Sequence, residues 1–236
     1  MVSVGKGAVN NGRVIHDREI VGAPADAACG DPGPIGAIGL DPLPRALRDP
    51  QTMLERTIAD WGGQDDLWLF GYGSLIWRPD FDFAERRAAK VHGWHRALKM
   101  WSRINRGTPE CPGLVFGMLS GGSCRGMVFR VEQAHVPGVM ETLWQREMPL
   151  AVYDPRWLTC HTPRGPVRAL AFTLSRRSPS HTGELHEDEY RRIFLQARGR
   201  YGTTRDYAQA TYDELRKHGI HDQALGRLIA LAHHQP

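Results

Sequence analysis

The sequence predicts an α+β domain in which a small antiparallel or mixed sheet carries the functional loops and helices pack outside it. Three observations carry that expectation. Short apolar, β-type runs bounded by glycine and other turn residues cluster between Leu67 and Leu174. Apolar residues at helical spacing precede the cluster, interrupt it between Val136 and Met148, and follow it from Glu187 onward. The first apolar run, Leu67 to Phe70, leads into Gly71, Tyr72, Gly73 and Ser74, which reads as a buried strand running into a sharp turn.

A chain of 236 residues, 41% hydrophobic and 24% charged, is long enough to bury a substantial core and has the balance of an ordinary soluble globular protein. Residues 1–43 are rich in Gly, Ala, Pro and Asp without a sustained hydrophobic period. They are expected to form a flexible extension, with residues 44–236 as a single folded domain. No apolar run approaches the length of a membrane span, and no signal-peptide core opens the chain, so a cytoplasmic protein without a membrane partner is expected. Cys29, Cys111, Cys124 and Cys160 are scattered, with no C-x-x-C pair and no histidine at zinc-ligand spacing; reduced, packed thiols and no metal site are expected. The formal charge of +4 is carried largely by arginine. With no RNP-like run, zinc finger or dense basic stripe, selection of an acidic small molecule is preferred over nucleic acid binding.

In chain order, Leu47, Met53, Leu54, Ile58 and Trp61 recur at rough helical spacing from about Pro44, and Gly62 and Gly63 end the segment. Beyond the glycine turn, Arg87 to Trp94 and Arg96 to Trp101 read as two strands hinged near Gly93, followed by an exposed loop from Ser102 to Pro112. Gly113 to Leu119 and Gly126 to Val131 read as two further strands, joined by a turn at Ser120 to Ser123 that contains Gly121 and Gly122. Val136 to Met148 is predicted helical, with Val139, Met140 and Leu143 on one face. Ala151 to Cys160 and Val167 to Leu174 form a strand pair, and Ser175 to Leu185 a surface loop. Glu187 to Arg198 is helical, with Tyr190, Ile193, Phe194 and Ala197 inward, and two amphipathic helices flank a break at His218 to Asp222. His92, His95, His233 and His234 read as surface residues.

A turn with two residues lacking Cβ lets backbone N–H groups converge on an oxyanion or carboxylate. A dinucleotide fingerprint is not met, because Ile76 stands where the third glycine is required, and no Walker lysine follows. On the glycines alone, a tight hairpin turn is the preferred reading. The full string FGYGSLIWRP, Phe70 to Pro79, is far more specific, and it resembles the opening motif of the ChaC-like γ-glutamylcyclotransferases, which cleave glutathione to 5-oxoproline and Cys-Gly. Further matches follow in the family's order: RGTPECPG from Arg106, RGMVFRV from Arg125, and LWQREM from Leu143 with Tyr153 beyond it. Near the C-terminus Gly202, Tyr207, Gly219 and Asp222 are kept, but Ala197, Arg198 and Thr204 stand where the family usually has Ser, Gly and Asn. The resemblance runs from about Trp61 to Ala232.

The resemblance implies a γ-glutamylcyclotransferase-like fold, a small mixed β-barrel with surrounding helices, holding the glycine turn and Glu147 at one mouth. It implies Glu147 as the catalytic acid/base, with Tyr72, Gly73, Ser74, Leu75, Arg106, Tyr153 and Tyr207 around the substrate. Taken without it, Arg146 and Glu147 read as a surface ion pair, Tyr153 as a half-buried strand aromatic and Arg106 as part of an exposed connector.

In the implied reaction the substrate's own α-amine attacks its γ-carbonyl, so proximity supplies much of the acceleration and no covalent enzyme intermediate is needed. One carboxylate in an apolar pocket can take a proton from the ammonium and return one to the departing amine. The expected partner is a small γ-glutamyl molecule, with no cofactor or metal. Two alternatives stay open: a cyclotransferase for other γ-glutamyl dipeptides or amines, and a non-catalytic binding module on the same fold. The sequence does not set the oligomeric state.

Overall fold

A computed structural model gives the fold and describes residues 48–232. The expected N-terminal extension, residues 1–43, lies outside the described residues, as do Leu47, Cys29, His233 and His234.

Helix α1, Pro50–Trp61, starts where Asp49 accepts from the Thr52 N–H at 2.7 Å and Pro50 supplies a pre-set first turn. It ends at Gly62, whose φ of 87° is the left-handed cap that a residue without Cβ adopts freely. Of the residues at helical spacing, Met53, Leu54 and Trp61 pack on the core, whereas Ile58 faces outward and Thr57 is the buried residue. The Trp144 indole of helix α2, Val136–Glu147, donates to the Pro50 carbonyl at 2.7 Å and ties the two helices together.

Five strands close into a barrel: β1 Leu67–Gly71, β2 Glu85–Ser102, β3 Gly113–Val131, β4 Asp154–Thr162 and β5 Gly165–Thr173. They run in the order β1-β3-β2-β4-β5, antiparallel except for the seam where β1 meets β5 in parallel. That seam makes the barrel mixed and covers both edges of the short β1. Leu69 pairs with Phe129 on one side and Leu170 on the other, all buried. Closure gives every barrel strand a partner on both sides.

The four strand-like runs expected between Arg87 and Val131 are two long strands. Gly121 and Gly122 do not reverse the chain. The ladder pairs His92 with Ser123 and Trp94 with Ser120, so Gly93 faces both glycines across a bulge where all three adopt positive φ. An extra residue on one strand bends the ribbon without ending it. In one strand read alone, a glycine pair between polar residues carries the same signal as a hairpin turn; only the partner distinguishes them.

After β5 come α3 Glu187–Gln196, the two-residue strands β6 Arg198–Gly199 and β7 Gly202–Thr203, α4 Thr204–Lys217 and α5 Gln223–Leu231. The first turn of α4 is closed by a capping box between Thr203 and Asp206. A buried ion pair fixes α5 to the barrel: the Arg96 side chain on β2, 4% exposed, reaches Asp222 Oδ2 at 2.5 Å, while Asp222 Oδ1 accepts from the Leu225 N–H that opens α5. The same guanidinium donates to the carbonyls of Tyr72 at 2.8 Å and Arg125 at 3.2 Å. Thus one arginine joins the bent ribbon, the glycine turn and the last helix.

Removing one partner of such a pair leaves the other charge buried and unmatched. Arg96→Met is expected to lower unfolding stability by about 3–5 kcal/mol. The Arg96→Met, Asp222→Asn double variant is expected to recover part of that loss, with denaturant midpoints as the readout.

Candidate active site

Strand β1 delivers the glycine turn to one mouth of the barrel. A Cβ on Gly71 would lie 3.1 Å from the Phe129 ring and 3.2 Å from Leu75, so the strand end is packed against its neighbours. A Cβ on Gly73 would sit 2.9 Å from the Tyr207 hydroxyl oxygen. Glycine at 73 therefore lets the backbone itself approach the tyrosine. Ser74–Ile76 form one tight turn, with the Ile76 N–H bonded to the Gly73 carbonyl at 3.0 Å. The leading N–H groups of such a turn have no partner within it and point outward. The Leu75 side chain is buried in the core, so only its backbone can meet a ligand.

Phe116 of β3 is the meeting point of two tyrosines. Its N–H donates to the Tyr207 hydroxyl, and its carbonyl accepts from the Tyr153 hydroxyl, each at 3.3 Å. Tyr72 is anchored separately, its hydroxyl donating to the Phe172 carbonyl at 2.7 Å. The three tyrosines come from the β1 turn, helix α4 and the segment before β4. Burial raises the pKa of each phenol, and the charge of Glu147 adds to that in all three. They are therefore neutral hydroxyls over the physiological range: those of Tyr72 and Tyr153 give their protons to carbonyls and present acceptors, and that of Tyr207, which accepts from Phe116, keeps a proton to donate.

Glu147 is the last residue of α2, with its side chain 17% exposed. Burial pushes its carboxyl above the usual carboxylate range, and the adjacent Arg146, with Nε 3.2 Å from Oε1, opposes that rise only in part. The negative end of the helix dipole also disfavours charge at this position.

Arg146 is the residue whose role the sequence did not expose. Its Nη1 donates to the Arg78 carbonyl at 2.7 Å and to Asp80 Oδ2 at 2.9 Å, and its Nη2 donates to Ser74 Oγ at 3.0 Å. One guanidinium thus spans the glycine turn, the loop after it and the Glu147 carboxylate. In sequence it is a cation beside an anion at a helix end, and its distant partners carry no local signal.

The structure brings Glu147, Tyr72, Gly73, Ser74, Tyr153 and Tyr207 together. Arg106 lies at the periphery: its half-buried guanidinium sits 5.0 Å from the Tyr207 ring centre and donates to the Tyr201 carbonyl. Thr204 is fully buried, and its hydroxyl accepts from the Leu114 N–H at 2.8 Å, joining α4 to β3. Cys124 and Cys160 are packed in the core. Among the described residues, no cluster of His, Cys, Asp and Glu could hold a metal ion, and no helix is long and apolar enough to cross a membrane.

Gly73→Ala would drive a methyl group against the Tyr207 hydroxyl. It is expected to cost about 1–3 kcal/mol of stability, read as a lowered thermal midpoint, and to disturb the site through Tyr207.

A family model described as ChaC-like protein matches residues 67–235. The glutathione-specific γ-glutamylcyclotransferase of Escherichia coli (strain K12) is 30% identical over 177 residues, covering 75% of this chain and 77% of that protein. Glutathione-specific γ-glutamylcyclotransferase 1 of Homo sapiens is 32% identical over 151 residues, covering 62% and 68% respectively. Among solved structures, a yeast γ-glutamyl cyclotransferase specific to glutathione matches with a TM-score of 0.66 at 20% identity, over 73% of this chain and 100% of that one, a likeness of fold. The family match spans the barrel, the glycine turn, Glu147 and the C-terminal helices, and the chain belongs to the ChaC-like family.

Proposed function

We propose that this chain is a γ-glutamylcyclotransferase that converts glutathione to 5-oxoproline and Cys-Gly, with Glu147 as the proton carrier. The observation that carries the reading is a desolvated carboxylate beside a backbone turn with outward N–H groups, ringed by neutral tyrosine hydroxyls.

In the γ-glutamyl group the α-amine and the γ-carbonyl belong to one molecule, and the site has only to fold them together. The Glu147 carboxylate takes a proton from the α-ammonium, and the freed amine adds to the γ-carbonyl carbon. The nitrogen sheds a second proton as the lactam forms. The departing nitrogen, an amide N–H in the substrate, gains two protons and leaves as an ammonium. Glu147 relays them one at a time, and a carboxyl pKa raised by burial suits both directions of transfer. Backbone N–H groups of Gly73, Ser74 and Leu75, with the Tyr207 hydroxyl, supply donors for the substrate α-carboxylate and the tetrahedral oxygen, while the Tyr72 and Tyr153 hydroxyls, their protons held by backbone carbonyls, offer acceptors to the α-ammonium. Arg106 can offer a fork of donors from the rim. The proposal carries with it a single catalytic domain over residues 44–236 and a cytoplasmic location, where thiols are kept reduced.

Glu147→Gln is expected to lower turnover by at least about 10²–10⁴-fold while leaving glutathione binding largely intact. Mass spectrometry of 5-oxoproline and calorimetric titration provide the two readouts, and normal turnover by the variant would sink the assignment.

Because burial holds the Glu147 carboxyl high, wild-type activity is expected to fall with acidification at a pH above the ordinary carboxylate range. Stability moves the other way. The folded state binds this proton more tightly than the unfolded chain, so wild type gains stability as pH drops from the raised folded pKa to the unfolded one. Glu147→Gln lacks that gain. It is expected to be more stable than wild type at neutral pH, with the gap closing on acidification, as read from denaturation midpoints across pH.

A further inference from the structure

A ring of contacts leaves Glu147 and returns to the glycine turn along the rim of the site. Arg146 holds the Arg78 carbonyl at 2.7 Å, and the Arg78 guanidinium lies 5.8 Å from the ring centre of Tyr201. Arg106 donates to the Tyr201 carbonyl and lies 5.0 Å from the Tyr207 ring, whose hydroxyl abuts Gly73. Arg200 also packs on Tyr201, at 5.3 Å.

Tyr201 is 50% exposed, yet its backbone is fixed. The N–H groups of Arg200 and Tyr201 donate to the carbonyls of Ile104 and Asn105, at 2.8 and 2.9 Å. The two chains cross so closely that a Cβ on Gly199 would meet backbone nitrogens of Gly107 and Arg106 at 2.5 and 2.6 Å. The turn thus presents an aromatic platform with guanidinium groups laid on it, beside the mouth.

Charge at this rim is unbalanced. Arg78 engages Asp80 at 2.9 Å, but Arg146 shares that carboxylate. Arg106 is attracted to Asp206, while burial and the neighbouring Arg78 disfavour its charge. Among the described residues no carboxylate pairs with Arg200. An anion arriving here would meet two guanidinium groups within about 6 Å of one aromatic ring, which orders them.

We propose that Arg78 and Arg200, laid on Tyr201, form a subsite for the free carboxylate at the far end of the γ-glutamyl peptide; this rests on the cyclotransferase reading of the site. The γ-glutamyl group occupies the turn and Glu147, so the rest of the peptide leaves over Tyr207 toward Tyr201. Two residues span at most about 7 Å when extended, the reach of a tripeptide's terminal carboxylate from its scissile bond. A planar guanidinium matches a carboxylate through two parallel N–H bonds. The subsite selects γ-glutamyl peptides that end in a charge over those that end in a neutral group. Because it is exposed, its contribution weakens with salt.

The test compares reduced glutathione with its glycine monoethyl ester, which masks only the distal charge, on wild type, Arg200→Gln and Arg78→Gln. In wild type the ester is expected to show a KM about two- to fivefold above that of glutathione at similar kcat, in line with an exposed charge-assisted contact. Arg200→Gln is expected to raise the glutathione KM toward the ester value and leave the ester KM unchanged, and added salt to do the same to wild type. Arg78→Gln should act alike, but it also removes the Asp80 ion pair, so Arg200→Gln decides. Equal KM values for acid and ester in wild type, or an Arg200→Gln protein that keeps its preference for the acid, would overturn the proposal. If wild type released no 5-oxoproline from either compound, the cyclotransferase reading itself would fall, and the subsite with it.

Discussion

A carboxylate held largely out of water at the C-terminal end of a helix is an unfavourable arrangement, and the rest of this site is built to sustain it. Burial and the helix dipole both push Glu147 toward its neutral form. Arg146 offsets part of that cost while its other donors bind Ser74, Arg78 and Asp80. The guanidinium that tempers the acid therefore also holds the glycine turn beside it. Proton affinity and geometry depend on one side chain.

The barrel supplies the rigidity that such a site needs. β1 is only five residues long, but with β3 on one edge and β5 on the other it cannot slide. The glycine turn that it delivers is braced from three directions: by Arg146 through Ser74, by Arg96 through the Tyr72 carbonyl, and by the close approach of Tyr207 to Gly73. Phe116 fixes Tyr153 and Tyr207 through its own N–H and carbonyl, so two hydroxyls are set by one residue of a ladder strand. Side chains held in this way need little reorganisation when charge develops in a reaction.

The differences from the family's usual residues fall on scaffold as well as rim. Thr204 spends its hydroxyl on the Leu114 N–H, a bond between α4 and β3 that keeps Tyr207 at its height in the site. Arg198 opens the short β6–β7 hairpin that carries Arg200 and Tyr201 toward the mouth.

Much of this molecule was legible in its residues because the signals were local. The run Leu67 to Phe70 before Gly71 and the apolar faces of α2 and α4 each follow from a few neighbouring side chains. The string from Phe70 to Pro79 and the stretch from Leu143 to Met148 were specific enough to point to the family whose model the chain matches. Three things were decided only by tertiary structure. Gly121 and Gly122 bend a continuous strand instead of reversing it, because the partner strand carries Gly93 opposite. Arg96 is buried against Asp222, 126 residues away, and Arg146 clasps a loop 66 to 72 residues distant. A cation's partner at that separation leaves no periodicity or spacing in the sequence, since it is chosen by barrel closure and by the desolvation that follows from it.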